Sequence, residues 1–337
     1  MKKRFLIPTI IFIFVFLASA IGYFWWNENN SSVSDSKEVA YITIPKGKSA
    51  SWIGQKLYDE GLIKSQLAFK IYVQFFGKQK NINAGQFKLS PNMSLQEVIE
   101  TLQGGPLELW ITIPEGKRRE EIVEIFIDSL EKTEDKAVIF RQEFLDLSKD
   151  KEGFLFPDTY LFPPEATASQ VINKLTQTFD NKTQDLEDSI SKTDYTLNQL
   201  ITMASIVERE TKTDAERPIV AGILWKRLET PGWYLQADAT LQYAVANLKL
   251  KTQNAKVDNW WPILTKDDLE VDSPYNSYKY KSLPPTPIAN PGLSSIKAVF
   301  NPQESDYWFY IHDSQGIIHY AKTLSEHNAN VRKYLGK

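Results

Sequence analysis

The pattern of hydrophobic and polar positions changes sharply near the start of the chain. Residues 2–4 are all basic, and the 22 residues of the run 5–26 carry no charge. As a helix, such a run would be roughly 33 Å long, which is enough to cross a bilayer. Its last four residues are aromatic, and aromatic rings favour the headgroup boundary. The pattern predicts a transmembrane anchor over 5–26, with residues 1–4 in the cytoplasm and the rest of the chain outside.

A cleaved signal peptide is the alternative interpretation of this segment, since Ala18-Ser19-Ala20 fits the small-x-small cleavage pattern. The apolar run continues past that site, which favours the uncleaved anchor. Residues 27–38 are polar and show no apolar period, so they are predicted to link the anchor to the first folded module.

Residues 39–108 alternate between strand and helix patterns. Apolar residues alternate with polar ones at 40–44 and again at 86–89, as in half-buried strands. Between them, Ile53 and Leu57 share one helical face, and a second helical pattern runs through 69–76. Ser94 and Glu97 form a capping box that opens a third helix. The segment is predicted to be a small α+β module.

Residues 42–48 are echoed at 111–117, where Ile-Thr-Ile-Pro-x-Gly-Lys occurs a second time. Each copy leads from a strand through a turn into a helical pattern. A duplicated βα unit and a common strand-turn-helix arrangement both explain the echo. Residues 109–151 are interpreted as a connecting βα segment before a larger domain at 152–337.

The larger domain opens with an aromatic and proline-rich stretch at 153–164, which is predicted to be irregular because it holds so many prolines. Helical patterns follow at 171–179, from Leu197, and from the neighbourhood of Asp214 to Thr230. The chain is therefore predicted to be of the α+β class, with a transmembrane helix before a small and a larger α+β domain.

One predicted helix carries a candidate catalytic carboxylate. Thr196 and Gln199 form a capping box, so this helix is predicted to begin at Leu197. At about 100° per residue, Glu208 points within roughly 20° of Leu197, whereas Glu210 points nearly opposite. The apolar stripe on the Glu208 side consists of Leu197, Leu200, Ile201, Ala204 and Val207.

Two roles are open for Glu208. A glutamate on a buried stripe should be partly withdrawn from water, which disfavours its charged form, as a general acid requires. The alternative is a buried structural carboxylate that pairs with an arginine such as Arg217 or Arg227. Glu210 is interpreted as an ordinary surface or salt-bridging residue.

Composition limits the remaining function classes. With 39 basic and 42 acidic side chains and a formal net charge of −3, the chain lacks the positive charge of a non-specific nucleic-acid binder. The absence of cysteine excludes disulfides, thiolate nucleophiles and cysteine-ligated metals, and it suits an oxidising compartment. His319 and His327 with Glu326 lack the close spacing of a metal site, so no metal or cofactor is predicted.

Loops rich in amide, hydroxyl and aromatic groups follow the helices, at 235–238, 273–278 and 283–292. Aromatic rings can stack on sugar faces and fixed amides can bind sugar hydroxyls, while prolines hold irregular loops rigid. These loops therefore suit carbohydrate recognition, and ordinary surface loops are the alternative.

Several motifs occur in series along the chain. They are Ala204-Ser205-Ile206-Val207-Glu208-Arg209-Glu210-Thr211, Glu216-Arg217, Leu235-Gln236-x-Asp238-x-Thr240, Ser273-Pro274-Tyr275-Asn276-x-Tyr278, Leu283-Pro284-Pro285-x-Pro287-Ile288 and Glu326-His327-Asn328. Their order and spacing resemble the YceG-like family of endolytic murein transglycosylases (MltG). Glu152-Gly153 with 157–160 resembles the family's upstream motif, and residues 39–108 resemble its LysM-like domain.

The resemblance implies a single-pass enzyme of the cytoplasmic membrane whose catalytic domain lies outside. Such an enzyme cuts nascent peptidoglycan strands between MurNAc and GlcNAc and leaves 1,6-anhydro-MurNAc ends, which terminates strand elongation. The implied partners are glycan strands and the membrane, with peptidoglycan synthases as candidates. A non-catalytic peptidoglycan-binding scaffold and a hydrolytic muramidase remain the alternatives.

The resemblance also implies roles for individual residues, without a cofactor or a metal. The family's catalytic glutamate falls on Glu208. Substrate binding falls on Gln236, Asp238, Ser273, Tyr275, Asn276, Tyr278 and Glu152.

Overall fold

The computed structural model of the protein describes residues 6–45, 47–76, 82–186, 190, 193–253 and 259–336. The chain divides into two compact units. The first comprises the described residues up to Leu109 together with Leu161–Glu165, and the second comprises Trp110–Tyr160 and the described residues from Ala166 onward. The domain boundaries at 39–108, 109–151 and 152–337 stay predictions.

The first unit, as far as it is described, combines helices with a two-stranded antiparallel sheet. Its elements are α1 Leu6–Asn30, β1 Ala40–Ile44, α2 Ala50–Asp59, α3 Gln66–Phe75, β2 Gly85–Leu89 and α4 Leu95–Gly104. Ile42 of β1 lies opposite Phe87 of β2, and both side chains are buried in a core with the helices. The Ser94 hydroxyl accepts a hydrogen bond from the Glu97 N–H at the start of α4. The predicted strands and the capping box are confirmed.

The segment predicted to be an anchor, 5–26, overlaps α1, which continues to Asn30. The basic cluster at 2–4 lies outside the described residues. Among the helices that the structure describes, none is both long and apolar enough to cross a membrane. The anchor at 5–26 and the alternative of a cleaved signal peptide therefore both rest on the sequence.

The second unit is larger and mostly helical. The elements that follow α4 along the chain are β3 Leu109–Thr112, α5 Arg119–Ser129, α6 Glu134–Leu147, β4 Thr159–Phe162, α7 Ala168–Thr183, α8 Leu197–Glu210, α9 Arg217–Glu229, α10 Asp238–Gln253, α11 Leu293–Phe300, β5 Phe309–His312, β6 Ile318–Ala321 and α12 Leu324–Asn330. β3 pairs with β4, and β5 pairs with β6 as an antiparallel hairpin. The predicted mixed α+β class is confirmed for the described chain.

The proline-rich stretch at 153–164 was expected to be irregular, and this prediction is wrong for its second half. β4 runs from Thr159 to Phe162 inside the stretch. The prolines at 157, 163 and 164 flank the strand without interrupting it, so no backbone donor is lost from its middle. The strand alternates as expected of a half-buried edge, with Tyr160 and Phe162 each 4% exposed.

Helix α8 lies at the centre of the second unit. It packs against α9, α10 and α11. Ile201, Ala204 and Val207 of the predicted stripe are fully buried, as are Met203 and Ile206 on other sides of the helix. Because neighbours cover α8 on more than one side, its burial is wider than the stripe predicted. A helix held in this way is a rigid support for side chains at its end.

Candidate active site

The position of Glu208 on α8 depends on where the helix begins, eleven residues earlier. Thr196 N–H donates to Gln199 Oε1 at 2.8 Å, and Gln199 N–H donates to Thr196 Oγ1 at 3.3 Å, so the predicted capping box is confirmed. The helix begins at Leu197 as expected. The Glu208 side chain is 7% exposed, as its position on the apolar stripe predicts.

Two donors that lie outside α8 bind the Glu208 carboxylate. Arg217 Nη2 donates to Oε1 at 3.1 Å, and the Gly292 N–H donates to Oε2 at 2.9 Å. Arg217 is the first residue of α9, and its side chain is also paired with Asp214. Of the two arginine partners considered from the sequence, Arg217 is the one observed. Arg227 instead donates to the carbonyls of Trp308 and Leu235.

The turn that follows β3 also lies against the end of α8 that carries Glu208. Gly116 has a φ of 74°, and its N–H donates to the Asn290 carbonyl at 2.9 Å. A Cβ on Gly116 would lie 3.4 Å from Glu208 Cγ and 3.3 Å from Arg209 Cδ, so this turn packs directly on the end of α8. Gly116 therefore serves both as a left-handed turn and as a close approach to Glu208.

This turn brings a second carboxylate that the sequence did not nominate. Glu115 Oε2 is 3.3 Å from Arg217 Nη2, the nitrogen that also binds Glu208. Burial raises the pKa of Glu115, and the negative charge of Glu208 raises it further. The only sequence signal for Glu115 was its place in the repeated motif, where the first copy has Lys46.

Glu152 contacts both Asn290 and the chain that follows this turn. Its side chain accepts hydrogen bonds from Asn290 Nδ2 at 2.7 Å and from the Arg119 N–H at 3.1 Å. Glu152 is 6% exposed, and burial, with the charge of Glu120 as a second cause, raises the pKa of Glu152 to about 8. Glu152 thus reaches the Glu208 site through Asn290 and does not face the solvent.

Glu152→Gln is expected to reduce the pH dependence of stability. The pKa of Glu152 is raised on folding from 4.5 to about 8, so folding favours the protonated carboxyl. Its contribution to stability is complete below pH 4.5 and is lost as the pH rises toward about 8. Glutamine imitates the protonated carboxyl at every pH. Melting temperatures over this range should fall more for the wild type than for Glu152→Gln, and parallel profiles would contradict the prediction.

The loops around 236 and 277 are joined to each other. Asp238 Oδ1 accepts from Tyr278 Oη at 2.5 Å, and the Ala237 N–H donates to Ser277 Oγ at 3.0 Å. The Gln236 N–H donates to the Ser277 carbonyl at 3.2 Å, and Gln236 has a φ of 52°, which is unusual for a residue other than glycine. Gln236 and Asp238 are exposed, so their side chains are available to a ligand.

Glu210 joins this loop pair to α8. Its Oε1 accepts from the Ala239 N–H at 3.2 Å, and its Oε2 accepts from Tyr310 Oη at 3.0 Å. Burial raises the pKa of Glu210, and the nearby charge of Asp238 raises it further. The interpretation of Glu210 as an ordinary surface or salt-bridging residue is wrong, because its carboxylate accepts from two uncharged groups of the protein. Although Glu210 points away from Glu208, it contacts the start of α10 and Tyr310.

Ser273, Tyr275 and Asn276 mainly hold their own loop. Ser273 Oγ accepts from the Tyr275 N–H at 3.3 Å, and Tyr275 Oη lies 2.6 Å from Thr286 Oγ1. Asn276 is fully buried, and its amide donates to the carbonyls of Leu269 and Val271 at 2.9 and 2.8 Å. These contacts fix the loop that presents Tyr278.

Trp261, an aromatic residue that the sequence reasoning did not single out, lies beside the site. The Arg209 guanidinium lies 3.8 Å from the centre of the Trp261 ring. Trp261 Nε1 donates to Glu121 Oε2 at 3.1 Å, and burial lowers the pKa of Arg209. Trp261 is thereby oriented at the same end of α8 as Glu208.

The histidines considered as metal ligands have other neighbours. His319 Nε2 is 2.9 Å from Asp313 Oδ2, and the His327 ring lies 5.2 Å from the ring of Phe309. Over the ranges that the structure describes, no group of three or more His, Asp or Glu side chains is arranged to hold a metal ion.

The site is assembled from motifs that a known family shares. The sequence model of the YceG-like family matches residues 42–333, which is most of the chain. The chain belongs to the YceG-like family. The match covers every element that contributes to the Glu208 site, from the turn at Gly116 to the loop at Gly292.

Named relatives are similar over most of this YceG-like chain. A protein of Bacillus subtilis (strain 168) named endolytic murein transglycosylase is 32% identical over 324 residues, covering 89% of this chain and 86% of that protein. A Streptococcus pneumoniae serotype 2 (strain D39) protein of the same name is 28% identical, and the match spans 99% of this chain but 65% of that longer protein. A crystal structure of a yceG-like protein from Listeria monocytogenes is also similar, with 29% identity, a TM-score of 0.56, and coverage of 87% of this chain and 99% of that one.

Proposed function

We propose that this protein is an endolytic murein transglycosylase, a lyase that cuts peptidoglycan glycan strands internally. Family membership and the shared name of the relatives from Bacillus and Streptococcus support the activity and the substrate class. The observation that carries the proposal within this chain is the buried carboxylate of Glu208, held by Arg217 and the Gly292 N–H at the end of a rigid helix.

One carboxylate is sufficient for this reaction because the substrate supplies the nucleophile. Glu208 first donates its proton to the glycosidic oxygen between MurNAc and GlcNAc, and the bond from that oxygen to C1 of MurNAc breaks. The carboxylate then accepts the proton of the MurNAc C6 hydroxyl as its oxygen bonds to C1 and forms the 1,6-anhydro ring. An intramolecular attack of this kind has a high effective molarity.

The two donors on Glu208 suit the step after proton transfer. Once Glu208 has given up its proton, Arg217 and the Gly292 N–H stabilise the carboxylate through charge-assisted hydrogen bonds. The same two contacts hold the carboxylate in one orientation, so it can later receive the C6 proton. Catalysis would thus use a base that is fixed before the attack begins.

The residues predicted to bind substrate divide into two groups by their exposure. We infer that Gln236 and Asp238, which are exposed, contact the glycan strand. The remaining predicted residues would act by holding the surrounding loops, since their polar atoms are largely used inside the protein; they are Ser273, Tyr275, Asn276, Tyr278 and Glu152. The resulting surface would be rigid before the strand arrives.

Glu115 raises a second candidate, hydrolysis by a muramidase with two carboxylates. Hydrolytic glycosidases place their two carboxylates on either side of the scissile bond. Here both carboxylates contact Arg217 Nη2, so Glu115 is bound to the cation that also holds Glu208. The shared name of the relatives favours transglycosylation over hydrolysis.

Product analysis tests the proposal directly. Purified protein is incubated with uncrosslinked glycan strands, and the products are identified by mass spectrometry. Internal fragments with 1,6-anhydro-MurNAc ends are expected. Reducing ends would indicate a hydrolytic muramidase, and strands that are bound but not cut would indicate a peptidoglycan-binding scaffold.

We further propose that residues 5–26 anchor the protein in the cytoplasmic membrane, with the enzyme outside and residues 39–108 acting as a LysM-like glycan-binding module. The uncharged run after a basic cluster supports the anchor, and the β1–β2 sheet packed with α2, α3 and α4 supports a folded module. Peptidoglycan synthases are proposed as partners, because a cut that ends elongation must reach the strand while it is being made.

Protease added to protoplasts should degrade the chain beyond residue 26, while the remaining fragment stays with the membrane. The positive-inside rule predicts this orientation because the basic residues 2–4 precede the apolar run. Immunoblotting with N-terminal and C-terminal tags measures both fragments. Recovery of a soluble form that begins directly after Ala20 would establish signal-peptide cleavage and overturn the anchor.

A further inference from the structure

Glu115 shares its cation with the proposed catalytic glutamate. Arg217 Nη2 is 3.1 Å from Glu208 Oε1 and 3.3 Å from Glu115 Oε2. The Glu115 side chain is 46% exposed, against 7% for Glu208, so Glu115 lies on the open side of the pair. An arginine paired with Glu208 alone would strongly favour its ionised form, whereas a general acid must start the reaction protonated.

We propose that Glu115 is a positioning residue that, by sharing Arg217, prevents this cation from holding Glu208 permanently as a carboxylate. Two carboxylates on one guanidinium nitrogen each receive less of its charge, and each disfavours ionisation of the other. Glu115 thereby leaves Glu208 free to exchange a proton with the substrate. This inference rests on the proposed function.

Among the charged groups near Glu115 and Glu208, Arg217 is the one that contacts both carboxylates. Asp214 also contacts Arg217, but its side chain is 79% exposed, so water screens its charge. Arg209 neighbours Glu208 on α8 and is stacked on Trp261. Burial and the charge of Glu208 both raise the pKa of Glu115, as expected for two like charges that compete for one cation.

Gly292 provides independent support, because its lack of a side chain makes room for Glu115. A Cβ on residue 292 would lie 1.8 Å from Glu115 Oε1, although the backbone at Gly292 has an ordinary φ of −74°. An alanine there is therefore compatible with the backbone but not with the present place of the Glu115 carboxylate. The Gly292 N–H that binds Glu208 would remain.

The first test compares pH profiles of glycan cleavage for wild type and Glu115→Gln. Without the Glu115 charge, Arg217 holds Glu208 more firmly as a carboxylate, so the alkaline limb should move down by about one pH unit. Cleavage on that limb should fall about tenfold, with little change at acidic pH. Glu124→Gln is the matched control, since Glu124 has a similar exposure of 41% but pairs with Arg141. A Glu115→Gln profile that coincides with wild type would overturn the inference.

A measurement independent of activity separates this inference from the proposed function. Carbon NMR of labelled glutamate carboxyls follows the titration of Glu115 in wild type and in Glu208→Gln. Without the Glu208 charge, Arg217 pairs with Glu115 and no longer with Glu208. The Glu115 carboxyl should therefore titrate at lower pH in the variant. An unchanged Glu115 titration would overturn the coupling. A wild type that cuts no glycan would instead refute the proposed function, and with it the catalytic part of the inference.

Gly292→Ala tests the same pair without removing either carboxylate. The alanine methyl should displace the Glu115 carboxylate from Arg217 and reproduce the alkaline shift of about one pH unit. In a Glu115→Ala background, where the space is empty, Gly292→Ala should add almost no further shift. Equal shifts in both backgrounds would show that residue 292 acts independently of Glu115 and would remove this support.

Discussion

Replacing Glu208 by glutamine is expected to abolish glycan cleavage while the protein stays folded. Glutamine can neither donate a proton to the glycosidic oxygen nor accept one from the C6 hydroxyl. General acid–base catalysis alone supplies about 10²–10⁴-fold, and one carboxylate serves both steps here, so the loss should be at least that large. Formation of anhydro ends by the variant and the wild type on the same glycan measures the effect.

The structure adds a stability cost to this substitution. Arg217 and the Gly292 N–H donate to different oxygens of Glu208, and glutamine would turn its NH₂ group toward one of these donors. One lost buried hydrogen bond costs about 1–3 kcal/mol, so a lower melting temperature is expected for a folded variant. Substantial anhydro product from folded Glu208→Gln would remove Glu208 from the mechanism.

Glu210 is not a neutral control for the Glu208→Gln substitution, because its carboxylate is itself bound inside the protein. Glu210 is on the same helix, but its contacts with the Ala239 N–H and Tyr310 Oη make it part of the support of α10. Glu210→Gln is therefore expected to reduce activity less than Glu208→Gln but not to leave it unchanged. Glu124→Gln, which alters a pair with Arg141 on α6, is the neutral control.

Asn290→Ala is expected to cause the largest loss of stability outside the hydrophobic core. Asn290 is fully buried; its Oδ1 accepts from the Leu155 N–H at 2.9 Å, and its Nδ2 donates to the Lys117 carbonyl and to Glu152. Alanine would leave the Leu155 N–H without its partner, whereas the Lys117 carbonyl keeps the Asn290 N–H and Glu152 keeps the Arg119 N–H. One unsatisfied buried group costs about 1–3 kcal/mol and each further lost hydrogen bond about 0.5–1.5 kcal/mol, so a total loss of about 2–5 kcal/mol is expected.

Asn290→Ala should also reduce cleavage, because Asn290 holds the turn at Gly116 and lies two residues before Gly292. Urea denaturation and the cleavage assay measure the two effects. Asn301→Ala is the matched control, since Asn301 is exposed and its amide donates to the nearby Lys297 carbonyl. Its effect should stay within about 0.5 kcal/mol. An Asn290 variant as stable as the Asn301 variant would contradict the account of this cluster.

Features set by short-range pattern could be predicted from the sequence. The capping box at Thr196 fixes where α8 begins, and the helical repeat then places Glu208 on the buried side. Strand alternation in β1 and β2 was equally readable. The prolines around β4 misled the prediction, since a proline at the end of a strand has a different effect from one in its middle.

Features set by contacts between distant segments could not be predicted. Glu115 and Gly292 meet Glu208 only because the turn after β3 and the loop before α11 converge at the end of α8. Glu210 points away from Glu208 as the register predicts, but the sequence does not show that α10 and Tyr310 cover that side. Helical register determines the direction in which a side chain points, whereas tertiary packing determines which residues it contacts.

Cleavage in water labelled with heavy oxygen tests the central claim most directly. If Glu208 accepts the C6 hydroxyl proton while the C6 oxygen attacks C1, no oxygen from water enters the product. Mass spectrometry of the new MurNAc ends should then show the anhydro form without heavy oxygen, and Glu208→Gln should give no such ends. New ends that carry heavy oxygen would show that water is the nucleophile and would contradict the transglycosylase mechanism.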